Sequence, residues 1–346
     1  MALSRISAEL VAEDDCPGVE ESLGRRDGWQ VRDGANWIVS HDGPEITTRR
    51  LSDDLSRVFS RTRTWTAPVP DESSYATPTP DGLLVGGRHR ITSLAADGSV
   101  RWAFDHDAWA ADGLGRGACV AMPSDDVVLA TIVGRVTNGT YDGDLCIALD
   151  SGSGELLGER TLPSFSALYK FQQSLVAANF VFLSAGQGQD DAHSLLVSLR
   201  DGDISAVPAG PADEPFTGNS LDGTSFLKLT RGGEILTRYE PAPSGLCRTA
   251  AHAEATTVLD DPEAVFVGGP GFVDRERVLA AVAEDIWPEE SRHFLWDTAT
   301  LAPLAEIVYP FSVSPEPIPL GDGTWITVSE DRVLRWRAGD PEALPA

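Results

Sequence analysis

Short apolar or alternating runs recur along the chain, and each is bounded by glycine, aspartate, serine or proline. Examples lie at 83–87, 127–131, 181–184 and 278–282. Runs of this length between turn residues are typical of β-strands, whereas the three-to-four-residue spacing of an amphipathic helix is almost absent. The pattern predicts an all-β protein built as a sandwich, a barrel or a propeller.

A repeated hairpin favours the propeller. Segments 91–104, 145–157, 195–204 and 293–304 each contain a strand, a tight turn with an aspartate and a returning strand. We interpret this hairpin as the third and fourth strands of a blade. Its turns then fall near Asp53, Asp97, Asp150, Asp201, Pro243, Asp297 and Gly339. Their mean interval of about 48 residues is close to the roughly 40–50 residues of a propeller blade.

The sequence thus predicts one β-propeller domain over 1–346, with seven four-stranded blades; six or eight blades are the alternatives, because the turns at Pro243 and Gly339 do not follow the aspartate pattern. The expected blades are 29–65, 75–105, 118–162, 170–208, 216–250, 264–310, and 315–338 together with 6–11. The last blade has only three strands of its own. We expect the N-terminal strand to complete it, because an open ring would leave strand edges unpaired.

The net charge of the chain excludes some classes of binding partner. The 53 acidic residues outnumber the 27 Lys and Arg residues, which gives a net charge of −26. So acidic a chain repels phosphate backbones and anionic membrane surfaces. We therefore expect no nucleic-acid partner and no membrane partner.

Cysteine spacing and the N-terminus favour the cytoplasm. The four cysteines form no C-x-x-C motif, and Cys119 and Cys146 lie within apolar runs. Such cysteines are most often buried free thiols. The sequence has neither a secretory signal pattern nor an apolar run long enough to span a membrane.

Two segments resemble known propeller repeats. The segment 94–102, which contains Asp97-Gly98 and ends on Trp102, resembles the quinoprotein-like repeat, in which a tryptophan after the turn packs between blades. Trp296-Asp297 is similar to the dipeptide that ends the third strand of WD40 repeats. The resemblance covers about 29–336 at the level of the repeat, and it implies the fold and a frequent role as a binding platform.

Motifs for catalysis or cofactors are missing. The glycine clusters at 82–87 and 268–271 match no phosphate-binding loop, and the chain has no G-x-S-x-G nucleophile elbow. The six histidines are scattered, and 138–144 lacks the closing glutamate of a calcium loop. We therefore predict no catalytic residue, no cofactor and no metal, and a protein- or peptide-binding platform. The alternative is an enzyme (a lyase or hydrolase) or a small-molecule-binding protein with a pocket at the propeller axis.

Long connections between the second and third strands of a blade indicate where a partner binds. They are expected at 137–144, 186–193 and 284–293, and long loops on a rigid scaffold often carry binding residues. The tryptophans Trp109 and Trp287 stand in polar surroundings that packing does not readily explain, and the acidic loops favour a basic partner. The predicted rim consists of Tyr141, Asp142, Asp144, Asp190, Asp191, His193, Trp287, Glu289, Glu290 and His293.

Overall fold

The computed structural model describes the chain except for residues 1–2, 25–27, 33, 68–74, 111–116, 123–125, 165–167, 174–179, 188–190, 201, 212–213, 215, 221, 242–246 and 342–346. Its residues group into two compact units. The first comprises Met1–Glu20, Ser52–Ser60 and Glu214–Ala346, and the second comprises Glu21–Leu51 and Arg61–Asp213.

The second unit contains four antiparallel four-stranded sheets, which we number 1 to 4 in chain order. Sheet 1 contains β2 (Trp29–Arg32), β3 (Ala35–Asp42), β4 (Glu45–Leu51) and β5 (Phe59–Thr66). Sheet 2 contains β6 (Tyr75–Thr79), β7 (Gly82–Gly86), β8 (Arg90–Ala95) and β9 (Val100–Asp105). Sheet 3 contains β10 (Cys119–Met122), β11 (Val127–Ile132), β14 (Leu145–Asp150) and β15 (Leu156–Thr161). Sheet 4 contains β16 (Leu168–Gln173), β17 (Val181–Gln187), β18 (Asp191–Arg200) and β19 (Asp203–Pro208).

A small hairpin of β12 (Val136–Thr137) and β13 (Thr140–Tyr141) interrupts sheet 3. A six-residue helix, α1 (Val19–Gly24), precedes sheet 1. No helix among the described residues is long and apolar enough to cross a membrane.

The first unit contains sheets 5, 6 and 7. Sheet 5 contains β20 (Phe216–Asn219), β21 (Phe226–Leu229), β22 (Ile235–Pro241) and β23 (Cys247–Glu254), which a short 3₁₀ turn, Ala255–Thr257, follows. Sheet 6 contains β24 (Val265–Phe272), β25 (Arg277–Ala283), β26 (Arg292–Asp297) and β27 (Pro303–Val308). Sheet 7 contains β28 (Ile318–Pro319), β29 (Thr324–Ser329), β30 (Arg332–Pro341) and the N-terminal strand β1 (Ser4–Asp15).

Strand β1 completes sheet 7, which confirms the prediction of closure by the N-terminus. It pairs antiparallel with β30, from Ile6 opposite Pro341 to Asp15 opposite Arg332. It also pairs in parallel with β27, so sheets 6 and 7 form one eight-stranded sheet. The predicted turn at Gly339 is wrong, because β30 continues through this residue, opposite β1.

Central strands supply the core of each unit. Every residue of β7 and β11 is buried, whereas the outer strand β15 is mostly exposed. A strand buried on both faces shows a continuous apolar run, which explains why the central strands were readily recognised in the sequence.

Aspartates fix the turns between strands. The carboxylate Oδ1 of Asp97 accepts hydrogen bonds from the Ser99 amide (3.0 Å) and hydroxyl (2.6 Å). Oδ1 of Asp297 does the same with the amide and hydroxyl of Thr300, at 2.8 and 2.6 Å. Such bonds stabilise the turn conformation locally, and they lower the pKa of both carboxyl groups.

Trp102 packs between sheets 2 and 3, as the resemblance to the quinoprotein-like repeat implies. Its indole nitrogen donates to the carbonyl oxygen of Ser151 at 2.7 Å. Gly154, at φ +74°, lies directly against the ring, and a Cβ atom there would stand 2.7 Å from Cε3 of Trp102.

Replacing Gly154 with alanine should lower the free energy of unfolding by about 2–4 kcal/mol, because it adds a steric clash to left-handed backbone strain. Gly98→Ala is the matched control, since Gly98 has φ +85° but an added methyl group there would meet no atom within 4 Å. The control should lose only the backbone part, about 1–2 kcal/mol. Equal losses in urea titrations of the two variants would contradict this packing.

Candidate functional site

An exposed tryptophan marks the connection between β25 and β26. We call residues 284–291 the tryptophan loop; its sequence is Glu-Asp-Ile-Trp-Pro-Glu-Glu-Ser. The side chain of Trp287 is 83% exposed, and Ile286 beside it is also exposed. The carboxylate of Asp285 accepts a hydrogen bond from the amide of Trp287 at 3.2 Å. Water thus surrounds a large apolar ring on a locally ordered turn.

The C-terminal end of the tryptophan loop is fixed by buried hydrogen bonds. The hydroxyl of Ser291 donates to the carbonyl oxygen of Pro315 at 2.6 Å. Nε2 of His293 lies 3.2 Å from the same oxygen, and Nδ1 lies 2.7 Å from the hydroxyl of Tyr309. Because Trp325 donates to that hydroxyl at 2.8 Å, the loop is tied to the 309–325 segment.

The partners of His293 define its protonation state. A carbonyl oxygen can only accept, so the contact with Pro315 places a proton on Nε2. Nδ1 then accepts the proton of the Tyr309 hydroxyl. Burial lowers the pKa of His293 to about 4, which keeps the ring neutral at pH 7. Nε2 of His293 also lies 3.1 Å from the hydroxyl oxygen of Ser291, which donates its own proton to the Pro315 carbonyl.

A groove of about 260 Å³ adjoins the tryptophan loop and shares Glu290 and Ser291 with it. Phe311, which is half exposed and packs on Trp336 at 5.5 Å, lines its apolar part. Glu306 lines the polar part and forms ion pairs with Arg292 (2.9 Å) and Arg5 (3.8 Å). The groove is large enough to receive one side chain, next to acidic groups.

The tryptophan loop carries three of the predicted rim residues at the surface. Trp287, Glu289 and Glu290 are all exposed. His293 is buried, so its inclusion in an exposed rim is wrong. Its ring serves as an anchor beneath the loop instead.

The predicted connection at 137–144 includes the β12–β13 hairpin. Asp142 is exposed, but Asp144 is completely buried and accepts hydrogen bonds from the hydroxyl groups of Tyr141 and Tyr169. Burial, together with Asp144, raises the pKa of both tyrosines. The prediction that Asp144 belongs to an exposed rim is therefore wrong. Asp144 is buried and holds the hairpin against β16.

The predicted long loop at 186–193 is wrong. Strands β17 and β18 extend through it, with Gln187 opposite Asp191 and Ala185 opposite His193. Only 188–190 separate the two strands, so Asp190 lies outside the described residues. His193 is half buried.

Trp109 is buried, although the polar residues around it in the sequence suggested exposure. It is only 1% exposed, and its ring lies 6.3 Å from that of Tyr169. Its amide donates to the carbonyl oxygen of Arg88 (3.0 Å), and Nε of Arg88 donates to the carbonyl oxygen of Trp109 (2.7 Å). These two bonds turn its loop inward, so Trp109 belongs to the core.

Sequence comparison gives no relative: no family model and no curated protein matches the chain. Solved structures that match the chain include the following two. BamB from Moraxella catarrhalis has a TM-score of 0.46 and 11% identity, over 90% of this chain and 82% of that one. The Neurospora crassa Pan2 WD40 domain has a TM-score of 0.54 and 10% identity, over 98% of each chain.

The chain has a WD40-like β-propeller fold. The described residues form five four-stranded sheets, one eight-stranded sheet and the β12–β13 hairpin. A propeller supports many functions, so the fold alone does not assign one. Among the described residues, no three His, Cys, Asp or Glu side chains are grouped to hold a metal ion.

Proposed function

We propose that this propeller binds a basic protein or peptide through the tryptophan loop and the adjoining groove. The observation that carries the proposal is the exposure of Trp287 on a loop whose base is anchored. Tryptophan is enriched among the residues that dominate binding energy at interfaces. An anchored loop also loses less conformational freedom on binding than a flexible one.

The charge of the loop supports a basic partner. Glu284, Asp285, Glu289 and Glu290 are exposed on both sides of Ile286-Trp287-Pro288. Like-charged partners would be repelled, whereas lysine- or arginine-rich segments would be steered toward Trp287. The Phe311 side of the groove would receive an apolar side chain of the same partner.

Replacing Trp287 with alanine should weaken binding at least about tenfold, since a hot-spot side chain contributes roughly 2 kcal/mol or more. Ligands are first selected from a peptide library on the wild-type protein, and their Kd values are then compared by fluorescence anisotropy. Trp287→Phe, which keeps an aromatic ring, should retain part of the affinity.

Neutralising Glu289 and Glu290 to glutamine should mainly slow association and reduce its dependence on salt. Asp142→Asn, an exposed acid on the β12–β13 connection, is the control for net charge. If the Trp287→Ala variant is folded and binds the selected ligands as tightly as the wild type does, the binding surface lies elsewhere.

A further inference from the structure

A second pocket lies at the other ends of the strands that carry the tryptophan loop. It has a volume of about 400 Å³ and is lined by Ser220, Asp222, Arg238, Arg275, Asp297 and Thr298, among others. The turns β20–β21, β24–β25 and β26–β27 form its wall. Since β25 begins at this pocket and ends at the tryptophan loop, a ligand here would be separate from the partner proposed above.

Two polar atoms of the pocket residues are buried without a hydrogen-bond partner among the described residues. They are Nε of Arg238 and Oγ1 of Thr298. The side chain of Arg238 is 14% exposed, and its Nη2 already donates to Glu240 at 3.1 Å. Proteins seldom leave buried polar atoms unsatisfied, and both residues line this pocket.

Arg275 adds a second cation. It is exposed at the β24–β25 turn, and within the described part of the chain it forms no hydrogen bond or ion pair. Two guanidinium groups and a hydroxyl match the acceptor oxygens of a carboxylate.

Carboxylates of the same pocket restrict what that ligand can be. Asp222 and Asp297 use Oδ1 for the hydrogen bonds of their own turns. Both stay ionised at neutral pH: hydrogen bonds from Thr224 and Ser220 outweigh the effect of burial and lower the pKa of Asp222, and the bonds from Thr300 lower that of Asp297. Glu276 is also part of the lining. A phosphate dianion would be repelled by these groups.

We infer that this pocket binds a small zwitterion of the α-amino acid class. Arg238, Arg275 and Thr298 receive its carboxylate, and Asp222 and Asp297 receive its ammonium group. The volume lies within the range of small-molecule sites in proteins.

The test uses the full chain and the twenty standard α-amino acids, each at about 1 mM, with thermal shift followed by calorimetry. At least one amino acid should bind and raise Tm. Its deaminated acid, its decarboxylated amine and inorganic phosphate should each bind at least about tenfold more weakly. Phosphate binding as tightly as every amino acid, or no binding by any of the twenty, would overturn the inference.

Variants assign the two ends of the ligand. Arg275→Gln should weaken binding of the amino acid about tenfold or more but leave binding of its decarboxylated amine unaffected. Asp222→Asn should also weaken binding of the amino acid but leave binding of its deaminated acid unaffected. Thr298→Val should weaken binding while leaving Tm of the free protein unchanged or higher, which distinguishes a binding role from a structural one. Arg57→Gln, at an exposed turn of the same unit, is the control. Equal weakening by Arg57→Gln and Arg275→Gln would contradict the inference. None of these results depends on Trp287.

Discussion

Deleting residues 1–12 should lower the free energy of unfolding by about 3–6 kcal/mol. This is a large share of the roughly 5–15 kcal/mol that stabilises a typical protein. Strand β1 hydrogen-bonds to both β27 and β30, and its own residues Ala8 and Ala12 are buried. Its removal leaves two unpaired strand edges, which promote aggregation. Urea titration and light scattering measure both effects.

Supplying the missing strand separately makes the test specific. A synthetic peptide of residues 4–12 should restore stability to the truncated chain, because pairing with a free strand edge needs no covalent link. The same peptide with Ala8→Asp and Ala12→Asp should fail, since it would bury two charges. Arg5→Ala in the full chain removes only a surface ion pair with Glu306 and should cost at most about 1 kcal/mol. A truncated chain that melts like the full one would refute this role of β1.

The fold was predictable because its signals are local. Buried central strands such as β11 show unbroken apolar runs, and turns such as Asp97–Ser99 carry their own hydrogen-bonding residues. The N-terminal strand was predictable because the last blade has only three strands of its own. The parallel pairing of β1 with β27 could not be predicted from the sequence. Hairpin partners are marked by the turn that joins them, whereas β1 and β27 lie at opposite ends of the chain and share no turn.

The candidate site was less predictable because burial depends on distant residues. In the sequence, Asp144 resembles a solvated loop residue. In the structure it is buried and accepts a hydrogen bond from Tyr169, which is 25 residues away in the chain. The stretch 186–193 is polar and glycine-containing, yet its backbone continues the β17–β18 ladder, and such pairing overrides local propensity. Trp287 is exposed, as its polar surroundings predicted, whereas Trp109, for which the same argument was made, is buried.

The groove and the mixed-charge pocket were missed for the same reason. Phe311 and Arg275 lie in connections far apart in the chain and Arg238 lies in strand β22, so no local pattern in the sequence indicates the whole of either site. A signal for the groove is present in hindsight at 309–312, where Tyr-Pro-Phe-Ser places two aromatic rings around a proline in a connection between strands. The pocket left no comparable motif.

The stability of the protein should fall by about 3 kcal/mol as the pH is lowered from 6.5 to 4, through His293 alone. The pKa of this buried ring is about 4 in the folded protein, against an ordinary value of 6.5 for histidine. Between these values the unfolded chain binds a proton that the folded chain excludes. The contribution is therefore fully present above pH 6.5 and is lost as the pH falls toward 4. Burial also lowers the pKa of His106, which acts in the same direction.

His293→Gln separates this contribution from the others, because glutamine is neutral at every pH in the window and retains a donor and an acceptor. The variant should be less stable than the wild type at pH 7.5, owing to imperfect contacts with Tyr309 and Pro315, but the difference should shrink or reverse by pH 4.5. Urea titrations at pH 7.5, 6.5, 5.5 and 4.5 measure it. His252→Gln, at an exposed position, should keep the wild-type pH dependence. If His293→Gln loses stability with falling pH as steeply as the wild type, His293 is not the buried neutral group beneath the tryptophan loop.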